Sequence, residues 1–536
     1  MRTSRRLLAV LTVLVAGVGL LLVPSAAAER SARPHLRTAS RAVVHGRVTA
    51  ASQDRPTSFE TFSQRSRPGA ALPEAAPRSS VLAPTPLTGF DAMDDLDGFF
   101  PSDTTGALGD GFFVAAVNSS IEVFNLDGTT AVPRTPLATL SGTPSILHFD
   151  PKVVFDQYTD TFVIAWLGQD DAPRASEINV LAIPDATAIT TSTWCQTTFA
   201  GDQIPESPAV WADYPTLGYN DSRITITTNQ FTFPSSTGSF RYSQIMTIDK
   251  SVYDCTLPVP TPTVFGGTKT RDQNRRQSFT IQAAQSVGSA PGDQLLISFQ
   301  DVKRNGDYLA LWRIKPTSTG FALKKACCLG TGRVSLPPPG TQGGGGVNSS
   351  NFWWDAGDLR LVNAFYDADR NQLYAAHTVF KNFKPDTLTG GYPEAGVQWY
   401  EVDPASNLGG SILARKGVIG SAEIDQGWPT VATNGSGTLF VTYNRASAPH
   451  DEFLSAWVAT IPQGSTSDTQ FLIRAGSARY NKSSGIERWG TSRRSTGTRS
   501  IPTTSRPSTS TRSRPPRGSS SSAWSPTTEG RARPVS

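Results

Sequence analysis

Asp150-Pro-Lys-Val-Val-Phe-Asp-Gln-Tyr-Thr-Asp-Thr-Phe-Val-Ile-Ala-Trp166 places two runs of β-branched and aromatic residues on either side of a polar turn. Runs of this kind predict strands, and the Asp-rich segment between them predicts the turn of a β-hairpin. Similar units recur along the chain, three of them clearly at 213–228, 360–376 and 426–443 and two less cleanly at 104–124 and 294–314. The chain is therefore predicted to be all-β and built from repeats.

Six such units within some four hundred residues favour a radial arrangement of four-stranded blades, the β-propeller. A pair of packed sheets is the alternative. The propeller is preferred because a single repeat cannot bury both of its faces, whereas repeats stacked around an axis can. We expect seven blades, with the last one lost or disrupted in this chain, and a six-bladed ring as the alternative.

Four segments follow from composition. Residues 1–28 resemble a signal peptide, with arginines before an apolar run from Leu7 to Val23 and small residues up to Ala28. Residues 29–86 are rich in Arg, Ala, Ser and Pro, which predicts a disordered propeptide or stalk. Residues 87–487 are the predicted propeller, and 488–536 form a Ser/Thr/Arg/Pro-rich tail. We expect a secreted protein with no membrane span after cleavage.

The net charge of +5 is unevenly distributed. Residues 81–487 hold 27 basic and 39 acidic residues, whereas residues 488–536 hold 10 basic residues and one acidic residue. Attraction of a polyanion depends on local charge density, and the predicted domain is acidic. A nucleic-acid partner is therefore not expected.

The tail permits a second interpretation. The codons of Thr, Ser, Arg, Gly and Pro mostly begin with AC, TC, CG, GG and CC. Read one base earlier, with G or C as the preceding base, these bases can encode residues such as Asp, Val, Ala and Pro. From Gly490 the shifted text can read Gly-Asp-Val-Ala-Ala-Val-Asp, which restores the alternation and the acidic turns of a blade. We therefore hypothesise that residues 491–536 are out of frame and replace the seventh blade.

The four cysteines are Cys195, Cys255, Cys327 and Cys328. In an oxidising compartment thiols tend to pair, and a bridge between Cys195 and Cys255 is the first choice. The neighbours Cys327 and Cys328 are predicted either to form a vicinal disulfide or to remain separate. A metal site is disfavoured because no Cys-x-x-Cys spacing or nearby His supports it.

Four blocks of the sequence resemble a group of uncharacterised secreted bacterial propeller-like proteins. They are Phe100-Pro-Ser-Asp-Thr-Thr-Gly-Ala-Leu-Gly109, Asp150-Pro-Lys-Val-Val-Phe-Asp156, Asp213-Tyr-Pro-Thr-Leu-Gly218 and Arg488-Trp-Gly490. In that group the last block continues Arg-Trp-Gly-Asp-Tyr, and this chain departs from the pattern after Gly490. The resemblance spans residues 90–490 and implies a propeller without implying an activity.

Propellers hold ligands at the central channel, near the first residues of the innermost strands. Asp103, Asp150, Asp213 and Asp425 each stand just before a predicted strand, so they are predicted to converge on the axis and bind a cation or a sugar hydroxyl. The alternative is that each caps a turn by accepting hydrogen bonds from backbone amides.

Two further candidate sites are open. Asp95 and Asp97 stand before Gly98 as in a calcium loop, but the downstream Glu is missing, so a solvated linker is the alternative to Ca²⁺ binding. Trp353, Trp354 and Trp428 are candidates for carbohydrate stacking, with packing between blades as the alternative.

No nucleophile elbow, zinc-protease motif or phosphate-binding loop occurs in the sequence, and paired carboxylates reveal their spacing only in three dimensions. We therefore predict a monomeric extracellular propeller that binds a carbohydrate or a protein. The alternative is a sialidase-like or other glycoside hydrolase or lyase with channel carboxylates. Two carboxylates close together beside an arginine would favour the enzyme.

Overall fold

The computed structural model describes residues 40–45, 89–94, 99–300, 305–343, 353–383, 394–481, 486–489, 495–496 and 503–504. Most of these residues lie in β-strands, beginning with β1 (Ser40–His45). The long strands combine β-branched and aromatic residues, as in the Thr161–Asp170 strand, where nine of ten residues are buried. The predicted all-β class is confirmed.

Six four-stranded antiparallel sheets follow one another along the chain, and we call them blades 1 to 6. Blade 1 consists of β2 (Thr105–Gly109), β3 (Phe112–Val117), β4 (Ser120–Asn125) and β5 (Thr130–Pro136). Blade 2 consists of β6 (Leu147–Asp156), β7 (Thr161–Asp170), β8 (Ala175–Ile183) and β9 (Thr193–Ala200). Blade 3 consists of β10 (Val210–Tyr219), β11 (Arg223–Thr232), β12 (Phe240–Asp249) and β13 (Thr263–Phe265).

The second half of the chain repeats the pattern. Blade 4 consists of β14 (Gln282–Val287), β15 (Gln294–Phe299), β16 (Gly306–Thr317) and β17 (Gly320–Val334). Two short strands, β18 (Gly340–Thr341) and β19 (Trp353–Trp354), pair with each other before blade 5. Blade 5 consists of β20 (Ala364–Asp367), β21 (Gln372–Lys381), β22 (Glu394–Asp403) and β23 (Ile412–Ile419). Blade 6 consists of β24 (Asp425–Thr433), β25 (Leu439–Ser447), β26 (Glu452–Ile461) and β27 (Thr469–Arg474).

The remaining elements are short. Helix α1 (Leu137–Ser141) connects blades 1 and 2, and α2 (Ala186–Thr191) precedes β9. Single 3₁₀ turns lie at 235–237, 250–253, 267–270 and 408–410. Two-residue strands β28 (Ser495–Thr496) and β29 (Thr503–Thr504) pair with each other. None of the helices in the described ranges has the length and apolar character that crossing a bilayer requires.

The first strand of each blade lies beside the first strand of the next, so these strands surround a common axis. Strands β10 and β14 pair in parallel at Tyr219 and Gln285, and β14 and β20 pair in parallel from Ala284 and Ala364 onward. Each later strand lies farther out in its own sheet. This arrangement of radial sheets with parallel inner strands is that of a β-propeller.

The hydrophobic core is divided among the interfaces between blades. Five clusters of buried residues join blades 1 and 2, 2 and 3, 3 and 4, 4 and 5, and 5 and 6. The other face of blade 1 packs against Phe90 and Ala92 from the segment before it. In the described part of the chain no cluster joins blade 6 to blade 1.

The predicted disordered segment 29–86 contains strand β1, which extends the outer edge of blade 2 by pairing with β9 from Ser40 to His45. Six blades are described, and the expected seventh would have to come from residues after blade 6, most of which lie outside the described ranges. The blade count of seven stays a prediction.

The predicted bridge between Cys195 and Cys255 is formed, and a second disulfide joins Cys327 and Cys328, whose state the sequence left open. Cys195 on β9 is bridged to Cys255, with 5.4 Å between their Cα atoms. Cys327 and Cys328 on β17 form a vicinal disulfide, the first of the two alternatives considered for them. The first bridge ties the end of blade 2 to the long connection inside blade 3.

Candidate functional site

The start of the innermost strand has the same unusual backbone in most blades. Five non-glycine residues there have left-handed φ values: Asp103 (43°), Asp150 (52°), Tyr214 (49°), Thr280 (54°) and Trp428 (53°). Bulky and β-branched residues rarely adopt this region, so the surrounding structure must impose it. In blade 5 the pairing of Ala284 with Ala364 places Arg360 level with Thr280.

Proline and β-bulges contribute to this local shape. A proline follows the left-handed residue in blades 2, 3 and 6, and the strand pairing shifts by one residue at each of these points. A bulge re-aims the neighbouring side chain. The result is one side-chain position per blade at the same end of the channel, which we call the channel mouth. Asp150 is half-buried there, whereas Asp103, Tyr214, Thr280 and Trp428 are buried.

Three of the four predicted acidic residues meet at the channel mouth, and we call Asp103, Asp150 and Asp213 the acid cluster. Asp103 is only 4% exposed, and its side chain shares a hydrogen bond with that of Asp150. The charge of Asp150 also acts on Asp213, which lies in the next blade. Oδ1 of Asp103 is buried and has no hydrogen-bond partner among the described residues.

Two members of the acid cluster, Asp103 and Asp213, hold their protons unusually tightly. Burial raises the pKa of Asp103 well above its ordinary value, and repulsion from Asp150 adds to the effect. Burial and the same Asp150 charge raise the pKa of Asp213 to about 7, although Arg360 opposes the shift. Groups with strongly shifted pKa values in a cleft are candidates for function.

Three cations surround the acid cluster. Lys152 is buried, and its charge and that of Arg488 partly oppose the rise in the pKa of Asp103. Arg360 makes two hydrogen bonds of 2.8 Å to the carboxylate of Asp358. Burial disfavours the charge of Arg360, but the attraction of Asp358 outweighs it and the pKa of Arg360 is raised. The channel mouth therefore carries both signs of charge.

The ring of Tyr214 contacts two of the cations at the channel mouth. The guanidinium of Arg360 lies 4.4 Å from the centre of the Tyr214 ring, and Nζ of Lys152 lies 5.5 Å from it. Both distances are within the range of cation–π attraction. Tyr214 is itself buried, and it follows Asp213 directly in the chain.

Asp425 has a different role from the one predicted. Its Oδ2 accepts hydrogen bonds from the backbone N–H and the hydroxyl of Thr341 at 2.8 and 3.0 Å, and its Oδ1 accepts one from the N–H of Ala395 at 3.0 Å. Burial raises its pKa to about 6. These bonds saturate the carboxylate, so Asp425 fixes the connection between blades, as in the turn-capping alternative.

The predicted tryptophans do not form a stacking surface. Trp354 and Trp428 are buried in one apolar cluster, and Nε1 of Trp428 donates to the carbonyl of Asp355 at 2.6 Å. Trp353 is half-buried, and its strand pairs with Thr341. Packing between blades, the alternative considered for these residues, describes Trp354 and Trp428.

The calcium prediction at Asp95 and Asp97 lies outside the described residues. Within the described ranges no group of three His, Cys, Asp or Glu side chains has the geometry of a metal site. Ca²⁺ binding at Asp95 and Asp97 therefore stays a prediction.

The buried histidines are fully engaged in internal hydrogen bonds. His148 contacts the hydroxyl of Ser141 at 2.9 Å and the indole N–H of Trp166 at 3.2 Å. His377 contacts the carbonyl of Leu359 at 2.8 Å and the hydroxyl of Tyr400 at 2.9 Å. Burial lowers both pKa values, that of His377 to about 4. Neither is placed to act as a general base.

The sequence did not point to Lys152, Tyr214, Arg360 or Arg488. Lys152 and Tyr214 stand beside predicted acids, in Asp150-Pro-Lys152 and Asp213-Tyr214, so their position in the sequence could have identified them as site residues. Arg360 reaches the channel mouth from the start of blade 5 and Arg488 from the chain after blade 6, and only the three-dimensional structure shows this.

No family model matches the chain, and no curated protein matches it. Among solved structures, an exo-1,5-α-L-arabinanase from a bovine ruminal metagenomic library is 11% identical, with a TM-score of 0.31 over 61% of this chain and 99% of that one. The Dos1 propeller is 9% identical, with a TM-score of 0.32 over 74% and 88%. A sialidase of Trypanosoma rangeli is 11% identical, with a TM-score of 0.31 over 68% and 54%. At this level, similarity assigns neither a ligand nor a reaction to this chain.

Proposed function

We propose that this protein is an exported propeller that binds an extracellular glycan at its channel mouth. The observation that carries the proposal is Oδ1 of Asp103, a buried acceptor without a donor inside a cluster of acids from three successive blades. Leaving such an acceptor unsatisfied costs about 1–3 kcal/mol, so a donor from a ligand is favoured there.

The surroundings of Asp103 suit a polyhydroxylated ligand. A carboxyl oxygen accepts hydrogen bonds from sugar hydroxyls, and such a donor would satisfy Oδ1 of Asp103. Arg360 and Lys152 supply donors to ring and hydroxyl oxygens, since both are donors only. The mouth of a propeller channel is concave, as ligand sites usually are.

Export is part of the same proposal. The N-terminal 28 residues resemble a signal peptide, and the two disulfides fit an oxidising compartment. Glycans exposed outside the cell are the ligands available there.

Glycoside cleavage is the second candidate, and a specific observation favours it. Asp213, with a pKa of about 7, remains partly protonated at neutral pH, as a general acid must be. Its neighbour Asp150 could supply the second carboxylate that both stereochemical routes of glycoside hydrolysis require.

The test is a screen of the purified chain against soluble arabinan, galactan, mannan, polygalacturonate and sialylated oligosaccharides, by calorimetry and by release of reducing ends. We expect binding to at least one class and a loss of at least tenfold in affinity for Asp103→Ala, which removes the Oδ1 acceptor. Asp110→Ala is the matched control, because Asp110 is an exposed turn residue at the far end of β2 and also has a left-handed φ.

The two candidates separate in the variant series. If Asp213→Asn retains binding but abolishes the release of reducing ends, the protein is a hydrolase. If the wild type binds without releasing ends, it is a binding module. Equal affinities for the wild type and Asp103→Ala would refute the channel-mouth site.

A further inference from the structure

A row of aromatic side chains crosses blade 3 at the same end as the channel mouth. Trp211 on β10 pairs with Phe231 on β11, and Phe231 pairs with Phe240 on β12. Ring centres lie 5.7 Å apart for the first pair and 5.8 Å apart for the second. Residues directly opposite each other on neighbouring strands share a face of the sheet.

The row extends to both neighbouring blades. Phe149, which precedes Asp150 in blade 2, lies 6.4 Å from Trp211. Phe279, which precedes Thr280 in blade 4, lies 4.8 Å from Phe240. We call these five residues the aromatic row: Phe149, Trp211, Phe231, Phe240 and Phe279.

The aromatic row is partly open to solvent. All five side chains are half-buried, whereas Trp166, Trp194, Trp312, Trp354 and Trp399 are fully buried. Contiguous exposed apolar surface on a soluble protein commonly marks a place where something binds. Aromatic rings also present faces on which sugar rings stack.

The aromatic row is continuous with the acid cluster. Trp211 and Asp213 are two residues apart on β10, so they project to the same face of the sheet. The guanidinium of Arg360 lies 5.4 Å from the centre of the Phe279 ring and 4.4 Å from that of Tyr214. A ligand that leaves the channel mouth toward blade 3 would therefore meet the row at once.

The charge beside the row is positive. A small hairpin formed by the bridge between Arg271 and Gln277 leads directly into Phe279. Three exposed arginines lie on it: Arg271, Arg275 and Arg276. Among the described residues none of the three makes an ion pair with a carboxylate. Unpaired guanidinium groups are suited to bidentate recognition of carboxylate groups.

We infer that the aromatic row and the arginine hairpin form an outer subsite for an acidic, uronate-containing oligosaccharide whose end lies in the channel mouth. The rings stack against the apolar faces of the sugars, and the arginines bind their carboxylates. This inference rests on the proposed glycan function and specifies its ligand class.

The test uses the α-1,4-linked galacturonate hexamer, its fully methyl-esterified form and the corresponding dimer as probes in calorimetry. We expect the wild type to bind the acidic hexamer at least tenfold more tightly than either other probe. Trp211→Ala is expected to lower the affinity for the acidic hexamer about tenfold, and Phe380→Ala is its control. Phe380 is also exposed but lies on blade 5.

The arginines are tested separately. The double variant Arg275→Gln with Arg276→Gln is expected to weaken binding of the acidic hexamer at least fivefold and to leave the esterified hexamer unchanged. The inference is overturned if the wild type binds both hexamers equally or neither of them, or if the double variant and Trp211→Ala bind as the wild type does.

Failure of the outer subsite differs from failure of the channel mouth. If another glycan binds and depends on Asp103 while Trp211→Ala has no effect, the channel-mouth proposal stands and the outer subsite falls. If binding of the acidic hexamer depends on Trp211 but is unchanged in Asp103→Ala, the channel-mouth proposal falls, and with it the inference that the end of the oligosaccharide lies there.

Discussion

Asp213 links the channel mouth to pH. In the folded protein its pKa is about 7 because the carboxyl group is buried beside Asp150. In the unfolded chain an aspartate has a pKa of about 3.9. Between these two values the folded state holds a proton that the unfolded state has released, so folding stability falls as the pH rises through this window. Asp425, whose pKa is about 6, acts in the same direction.

This linkage gives a prediction for a single substitution. Asp213→Asn removes a charge that the site poorly accommodates, so the variant is expected to be more stable than the wild type at pH 8, by about 2 °C in Tm. At pH 4 the advantage disappears because the wild-type carboxyl is then protonated. Thermal melts from pH 4 to pH 8 measure this, with Asp110→Asn as the control. An advantage that is constant across pH would contradict the assignment.

At the scale of strands, side chains join one blade to the next where the backbone cannot. Asn363, before β20, donates from Nδ2 to the carbonyl of Val431 at 3.0 Å and accepts from its N–H at 2.9 Å. Thr105 and Thr216 accept bonds of 3.3 Å from the N–H groups of Val153 and Ala283. Inner strands are thus tied in sequence around the axis.

Asn363→Ala tests how much such a link contributes. It leaves both polar groups of Val431 buried without partners, which costs about 2–4 kcal/mol. Urea unfolding is expected to show a lower midpoint with an unchanged slope. Asn407→Ala, which removes a bond in an exposed turn, serves as the comparison and is expected to change stability by less than about 1 kcal/mol. Similar losses of stability in both variants would mean that the hydrogen bonds of Asn363 contribute no more than a bond in an exposed turn.

At the scale of the molecule, the interface between blades 6 and 1 differs from the other five. It is crossed by the stacked rings of Phe100 and Tyr480, 6.4 Å apart, and by the ion pair of Arg474 with Asp91 at 3.5 Å. The short strand β28 lies next to both β2 and β24. The chain after blade 6 returns to the channel mouth, since Arg488 acts on Asp103 and the indole N–H of Trp489 donates to Asn444 at 3.1 Å.

These contacts are consistent with the hypothesis that residues 491–536 are out of frame and stand in place of a seventh blade. Resequencing the gene across the codons for 485–500 and expressing the chain in the shifted frame tests it. A new blade that buries roughly 200–400 Å² of apolar surface adds about 5–10 kcal/mol, so the frame-shifted chain is expected to melt about 10 °C higher. An unchanged Tm, or a nucleotide sequence that cannot encode Asp and Val there, would exclude the hypothesis.

The propeller class could be predicted from the sequence because each repeat carries its own turn and strand signals, as Asp150 to Trp166 does. Convergence of Asp103, Asp150 and Asp213 was also predictable, since each precedes an innermost strand. The aromatic row was not, because Trp211, Phe231 and Phe240 meet only through strand register. Asp425 looked equivalent to the other acids, and only the donors from Thr341 and Ala395 distinguish it.

The recurring left-handed residue has a consequence for how such a protein can change. Five of the six blades hold a left-handed residue at the start of the innermost strand, and Asp, Asn or Gly adopt that conformation most readily. Four of these residues, Asp103, Asp150, Tyr214 and Thr280, lie outside the apolar clusters, so they can be exchanged one blade at a time while the cores between blades stay intact. Trp428 is packed in such a cluster and cannot. Side chains at the channel mouth can thus change while the packing that holds the blades together stays the same.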